Sequence, residues 1–309
     1  MQNTHFPKKR TFFLYFLLKT WCNRNIFCNF AGQMQMSVRV HNQLMSLSRP
    51  RVMAIINFSP DSFYTSCPVT SEQQVLEHVD QALREGADIL DLGACSTRPG
   101  SMPVDAQTEW KLLSQGLRLI RHHWLDVPIS VDTFRPDIAQ QAISLGANII
   151  NDISGANADP RMWEMASQYA VPYVLTHAQP IADHTPTMVQ VLEFLQQRLD
   201  ELHRRGVADV VIDPGFGFGK TIEQNYDILQ QLDLLACLHA PILVGLSRKS
   251  MLYHPLASTP QEVLPATIAA NMLALERGAH ILRVHDVAAA SQAIAVHQMT
   301  SKSQQTTNL

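Results

Sequence analysis

The sequence has little of what builds metal fingers, disulfide frames or membrane spans. Its 309 residues include five cysteines: Cys22, Cys28, Cys67, Cys95 and Cys237, odd in number, widely spaced and without a CxxC pair. That pattern argues against a disulfide framework and a cysteine-zinc site, and it suits free thiols in a reducing, cytoplasmic compartment. No apolar run reaches the roughly 18 residues that span a bilayer. Acidic residues are missing from the first 51 positions, which hold 8 of the 24 Lys and Arg. Beyond them 16 basic residues face 27 acidic ones, so a net charge of −11 is hidden in an overall −3. A body this acidic lacks the basic face that neutralises phosphates, which argues against nucleic acid as a partner.

Lys8-Lys9-Arg10 followed by Thr11–Leu18 has the outline of a secretory leader. The apolar run is short, however, and no A-x-A cleavage pattern follows it. Residues 1–51 are therefore read as a basic extension outside the core, either disordered or translated from a start upstream of the true one at Met34 or Met36.

From residue 52 the pattern becomes regular. Eight short Ile/Val/Leu-rich runs appear: Val52–Asn57, Asp88–Gly93, Pro128–Asp132, Asn148–Asp152, Val171–His177, Asp209–Pro214, Ala240–Ser247 and His280–His285. They lack polar alternation, as strands buried on both faces do. Between them the period is helical, with Trp110, Leu113, Leu117, Ile120 and Trp124 in one stretch and Leu192, Leu195, Leu199 and Leu202 in another. Ser71-x-x-Gln74 and Thr259-Pro-Gln-Glu262 read as helix-starting capping boxes. Gly86, Gly146 and Gly278 read as left-handed helix stops. Eight βα units in about 250 residues predict a single (β/α)8 barrel over residues 52–298, with a polar tail at 299–309. A doubly wound open sheet competes, but no GxGxxG turn follows the first strand.

Active sites of such barrels lie at the C-terminal strand ends. There this sequence places Asn57, Asp91, Asp132, Asn151 with Asp152, His177, Asp213, Ser247-Arg248-Lys249, and Arg283 with His285. Carboxylates, amides and cations together suit a ligand with a heteroaromatic donor–acceptor edge and an anionic group. Arg98 offers a planar fork of donors for phosphate. Arg283 and His285, two residues apart, point to one side of a strand and make an anion site. Asp213-Pro-Gly-Phe-Gly-Phe-Gly-Lys-Thr221 is not a P-loop, because Pro214 stands where the first glycine belongs. Lys220 is then structural or peripheral.

Seven segments, taken in order, resemble dihydropteroate synthase: Asn57-x-x-Pro-Asp-Ser-Phe63, Asp91-Leu-Gly-x-x-Ser-Thr-Arg-Pro-Gly100, Ser130-Val-Asp-Thr133, Ile150-Asn-Asp-Ile153, Asp213–Lys220, Gly245-x-Ser-Arg-Lys-Ser250 and Arg283-Val-His-Asp286. The resemblance implies a transferase of folate biosynthesis. It would join 6-hydroxymethyl-7,8-dihydropterin diphosphate to 4-aminobenzoate by a dissociative substitution. The resemblance further implies that Asp132, Asn151, Asp213, Lys249 and Phe218 hold the pterin, while Asn57, Thr97, Arg98, Arg283 and His285 hold the diphosphate. Asn57 would also bind Mg2+. Phe63, Pro99 and Ser250 would border the aminobenzoate, Arg283, His285 and Lys249 would carry the chemistry, and a homodimer is implied.

Three departures stand out. Tyr64-Thr65-Ser66-Cys67 replaces an Asp-Gly-Gly turn, Cys95 stands where an acid is common, and Ala178-Gln179-Pro180 replaces Met-Gln-Gly. Two rival readings remain open: a barrel methyltransferase acting on methyltetrahydrofolate, which has no need of Ser96-Thr97-Arg98, and a pterin-binding paralogue without turnover.

Overall fold

The computed structural model describes residues 36–40, 43–58, 72–94, 104–155, 159–182 and 185–307, with side chains to residue 300. Eight strands form one parallel sheet: β3 (Arg51–Asn57), β4 (Ile89–Gly93), β5 (Ile129–Asp132), β6 (Ile149–Asp152), β7 (Tyr173–Thr176), β8 (Val210–Asp213), β9 (Leu243–Val244) and β10 (Ile281–Val284). Their spatial order is β8-β7-β6-β5-β4-β3-β10-β9. A bridge between Ile212 and Ile242 joins the two ends, with the Ile212 N–H donating to the Pro241 carbonyl at 2.8 Å. The sheet is thus a closed barrel, and the eight apolar runs became its strands. Around it lie α1 (Glu72–Arg84), α2 (Ala106–His123), α3 (Pro136–Ser144), α4 (Arg161–Tyr169), α5 (Thr187–Arg204), α6 (Ile222–Gln230), α7 (Ser250–Tyr253), α8 (Leu264–Glu276) and α9 (Val287–Thr307). No helix among the described residues is long and apolar enough to cross a membrane.

The two faces of each strand do different work. Val52, Ala54, Ile56, Leu90, Leu92, Val131, Ile150, Leu175, Ile212 and Leu282 pack outward with the helices. Met53, Ile89, Ile149, Val174, Val211, Leu243 and Ile281 form a separate cluster inside the barrel. Because side chains alternate along a strand, the inward positions two residues further on are Asp91, Asn151, Thr176, Asp213 and Arg283. An apolar floor therefore lies one pleat below a polar layer.

The floor is closed from beneath by residues that the charge pattern assigns to the extension. β1 (Ser37–Val40) and β2 (Gln43–Ser46) pair as an antiparallel hairpin. Its Val38 and Val40, with Leu47 beyond, join the interior cluster. Asp88 pins the junction, accepting from Arg49 at 2.5 Å, Arg51 at 2.8 Å and the Val52 N–H at 2.9 Å. Residues 36–51 are thus part of the barrel body, since an open barrel end would leave Met53, Ile89 and Ile281 facing water. The expected break at residue 52 marks a change of charge, not an edge of the core.

Other local expectations met mixed outcomes. Gly86, Gly146 and Gly278 take left-handed φ values of 102°, 100° and 88°, as helix stops should. Ser71 lies outside the described residues. Thr259–Glu262 forms a turn, with Glu262 accepting from the Thr259 hydroxyl at 2.8 Å, but α8 starts only at Leu264, where Pro265 sets the first turn. The reciprocal capping box is Thr221 with Gln224 at the start of α6. At the other end α9 runs on to Thr307, so the polar stretch after residue 298 continues a helix.

Leu47 is 4% exposed. Leu47→Ala is expected to lower the unfolding free energy by about 2–4 kcal/mol, read from urea denaturation. A loss below about 0.5 kcal/mol, the range of surface changes, would detach the hairpin from the cooperative core.

Candidate active site

The polar layer is organised around one guanidinium. Arg283, whose side chain is 13% exposed, donates from Nε to Asp91 Oδ2 at 2.6 Å and from Nη2 to Asp132 Oδ2 at 2.7 Å. Asn151 Nδ2 donates to the same Asp91 oxygen at 3.1 Å. Strand β10 is thereby tied across the barrel to β4 and β5 by side chains, and β6 joins through Asn151. Burial opposes the charge on Arg283, but Asp91 and Asp132 outweigh it and raise the guanidinium above its usual range. Asp132 is pushed up to about 7 by burial, with Arg283 pulling it down and Asp91 adding repulsion.

Asp213 and Lys249 form the second half. Burial raises Asp213, while Lys249 and the Gly215 N–H, which donates to Oδ1 at 2.7 Å, hold it back. Burial lowers Lys249 to about 8, opposed by Asp213. The Lys249 ammonium also donates to the Phe216 carbonyl and sits 4.7 Å from the centre of the Phe218 ring. Three buried acids, Asp91, Asp132 and Asp213, thus meet two cations. Such a layer presents hydrogen-bonding edges to a flat polar ligand while keeping water out of the floor.

The glycine-rich turn after β8 is held by Lys220. Its ammonium donates to the carbonyls of His177 at 2.8 Å, Gly215 at 2.8 Å and Phe218 at 3.1 Å. That is the structural role left to it once the P-loop spacing failed, and burial brings its pKa down to about 7. Gly215 has φ +72°, and a Cβ there would come within 2.0 Å of the His177 carbonyl oxygen. Only glycine allows this approach.

Most strand-end candidates reach this layer, and some do not. Asn57 ends β3 half-buried, and Ser250 opens α7 directly after Lys249. His285 follows β10, with its Nδ1 3.0 Å from Ser247 Oγ. Asp152 points outward, accepting from the Tyr173 hydroxyl at 2.5 Å, because its neighbour Asn151 takes the inward position. His177 is buried with its ring 4.8 Å from that of Phe194, and burial, then Lys220, lowers it to about 4. Phe63, Thr97, Arg98 and Pro99 lie outside the described residues, as do the altered turn at Tyr64–Cys67 and Cys95.

Two features escaped sequence reasoning. Asp91 was a strand end without a role, and its place between Arg283 and Asn151 follows from strand parity, which was available. Glu109 on α2 is 1% exposed and forms an ion pair with Arg135, while the Thr133 hydroxyl donates to it at 2.5 Å. Arg135 also donates to the Val104 carbonyl at 2.9 Å, linking the residues after Asp132 to the start of α2. The helical period places Glu109 on the buried face, four residues before Leu113, but its partners are distant in sequence.

A model of the family described as "Pterin binding enzyme" matches residues 53–285. The dihydropteroate synthase of Haemophilus influenzae is 36% identical over 275 residues, covering 86% of this chain and 99% of that protein. The chain belongs to the dihydropteroate synthase family of pterin-binding enzymes. Solved members of the family overlay closely. A Xanthomonas albilineans dihydropteroate synthase with 4-aminobenzoic acid gives a TM-score of 0.78 at 36% identity, covering 86% of this chain and 98% of that one. A Thermus thermophilus dihydropteroate synthase in complex with 6HMPPP gives 0.76 at 34% identity, covering 85% and 99%.

Two outcomes follow from the site's electrostatics. Arg283→Ala leaves Asp91 and Asp132 facing each other in the interior and is expected to cost about 3–5 kcal/mol of stability. Adding Asp91→Asn should restore part of it in urea titrations, and a stable Arg283→Ala protein would contradict the triad. His177, His78 and His280 have folded pKa values below that of the unfolded chain, which therefore binds more protons below about pH 6.5, down to about pH 4 in the case of His177. Their contribution to stability is full above about pH 6.5 and is lost toward pH 4, His177 supplying on the order of 3 kcal/mol of it, while Asp132, raised to about 7, acts in the opposite sense over the same range. The stability of the wild type relative to His177→Gln should decline from pH 7 to pH 5, and a constant difference would remove His177 from the account.

Proposed function

We infer that the chain condenses 6-hydroxymethyl-7,8-dihydropterin diphosphate with 4-aminobenzoate, releasing diphosphate and giving 7,8-dihydropteroate. The observation that carries this reading is the inward polar layer, three acids, an amide and two cations above a sealed apolar floor. Relatives of the same fold are bound to 6HMPPP and to 4-aminobenzoic acid, which supports both substrates.

A pterin presents an amino-pyrimidine edge of donors beside a carbonyl acceptor. Asp213 and Asp132 are the acceptors for the N–H groups, Asn151 supplies a mixed face, and Lys249 donates to the ring's acceptors while Phe218 stacks over its plane. The diphosphate is left to Arg283, His285 and Asn57, together with Thr97 and Arg98 from the loop after β4. Phe63, Pro99 and Ser250 then border the aminobenzoate.

The reaction follows from this arrangement. The methylene carbon–oxygen bond breaks, its electron pair leaves on the diphosphate, and the electron-rich dihydropterin stabilises the cation that remains. Arg283 and His285 take up charge on the leaving oxygens. The arylamine nitrogen attacks with its lone pair and loses its proton afterwards. Because the amine is already a free nucleophile at neutral pH, no catalytic base is required of the chain.

Asn57 fits a magnesium ion that arrives with the diphosphate, since its amide oxygen is the hard donor such an ion accepts beside phosphate oxygens and water. Among the described residues no group of three or more His, Cys, Asp or Glu could hold the ion without the substrate. When bound, magnesium neutralises charge on the leaving group. Exposed Leu273 on α8 and Val296 and Met299 on α9 support a homodimer closed over these helices. The odd number and wide spacing of the cysteines support the cytoplasm as its site of action.

Diphosphate release should depend on both 4-aminobenzoate and magnesium and stop with a chelator. Asp213→Asn should weaken pterin binding at least tenfold, the loss of about 1.4 kcal/mol for a charge-assisted hydrogen bond. Retained pterin binding without turnover would favour the silent paralogue, and unchanged kinetics in Asp213→Asn would remove that residue from the pterin site.

A further inference from the structure

The ladder between β9 and β10 is short, pairing only Leu243 with Ile281 and Val244 with Leu282. Side chains continue it towards the mouth of the barrel. The Ser247 hydroxyl oxygen accepts from the His285 backbone N–H at 3.2 Å and lies 3.0 Å from Nδ1 of the same ring. One residue further on, Arg248 Nε donates to Asp286 Oδ2 at 2.9 Å. Arg248 takes a left-handed φ of 56° at this point, and its N–H donates to the Thr267 hydroxyl at 3.2 Å. Two adjacent rungs thus hold residues 247–248 against residues 285–286.

The first rung settles where a proton sits. A serine hydroxyl has one hydrogen to donate. Ser247 is 5% exposed, so water is not its ready acceptor. One of its lone pairs already receives the His285 N–H, and the acceptor within reach is Nδ1. The O–H therefore donates to Nδ1, and a ring nitrogen that accepts carries no proton. In a neutral imidazole the proton must then be on Nε2, because the bond made by one nitrogen decides the state of the other.

We propose that Ser247 is a positioning residue that holds His285 as its Nε2–H tautomer, so that the ring offers a donor to an anionic oxygen of the diphosphate. The opposite tautomer would turn a lone pair towards the anion and repel it. This rests on the reading of His285 as a diphosphate ligand, and the tautomer itself can be tested apart from that reading.

The first test is long-range 1H–15N correlation spectroscopy on the full chain with 15N-labelled histidine at about pH 8, where an ordinary histidine is neutral. The signal absent from H285Q identifies the ring. A proton on Nε2, with an accepting Nδ1, is the expected result, and a proton on Nδ1 overturns the proposal even if no Ser247 variant folds. The second test is calorimetric titration with magnesium diphosphate. A glutamine amide places an N–H donor near the Nε2 position and has no tautomer to fix. S247A should therefore weaken binding about threefold to tenfold when His285 is present, a partial loss of one hydrogen bond to a charged oxygen because the freed ring still samples the Nε2–H tautomer, and have no such effect in the H285Q background. Equal losses in the two backgrounds would make Ser247 a merely structural residue and overturn the proposal. Equal affinity of wild type, H285Q and H285A for diphosphate would overturn the ligand reading and the functional half of the proposal, with the spectrum still deciding the tautomer.

Discussion

The guanidinium of Arg283, set between the carboxylates of Asp91 and Asp132, is the contact on which the interior depends. Each carboxylate alone would face a heavy desolvation cost one pleat above an apolar floor, and each is tolerated there because the cation is shared. The arrangement leaves more acid than base in the layer once Asp213 and Lys249 are counted. Burial resolves this by raising Asp132 and Asp213, so the layer holds protons that a flat, hydrogen-bonding ligand can meet.

Everything beneath that layer serves to keep it dry. The interior floor of Met53, Ile89, Val174 and Ile281 is sealed from below by Val38, Val40 and Leu47 of the hairpin segment. From above, the glycine turn after β8 is drawn onto the end of β7 by Lys220, whose ammonium replaces the hydrogen bonds that three carbonyls would otherwise seek from water. Burial keeps His177 neutral and the same lysine reinforces it, so one cation closes the turn and adds to the pressure on its neighbour's charge.

Much of this was legible in the sequence. Eight buried strands read directly as apolar runs, because a strand covered on both faces needs no polar alternation. Their polar ends read as a site, since the barrel topology carries every strand end to one mouth. The inward direction of Asp91, Asn151, Asp213 and Arg283 was recoverable from parity, two residues beyond an apolar position each time. So was the burial of Glu109, four residues before Leu113 on the helix stripe, but its partners were not, because Thr133 and Arg135 are distant in sequence. Nor was the role of residues 36–51, where a break in charge concealed continuity of packing.

Local chemistry thus determined the elements and their order: the runs of Ile, Val and Leu, the left-handed glycines at Gly86, Gly146 and Gly278, and the residue types at each strand end. Those follow from steric preference and from burial averaged over a few neighbours. What only the tertiary structure decided is which charges meet. That Arg283 serves Asp91 and Asp132, that Lys220 binds the carbonyls of His177, Gly215 and Phe218, and that Ser247 faces His285 all depend on closure of the barrel. Closure brings strand ends within about 3 Å of one another across long stretches of chain, and hydrogen bonds act only at that range.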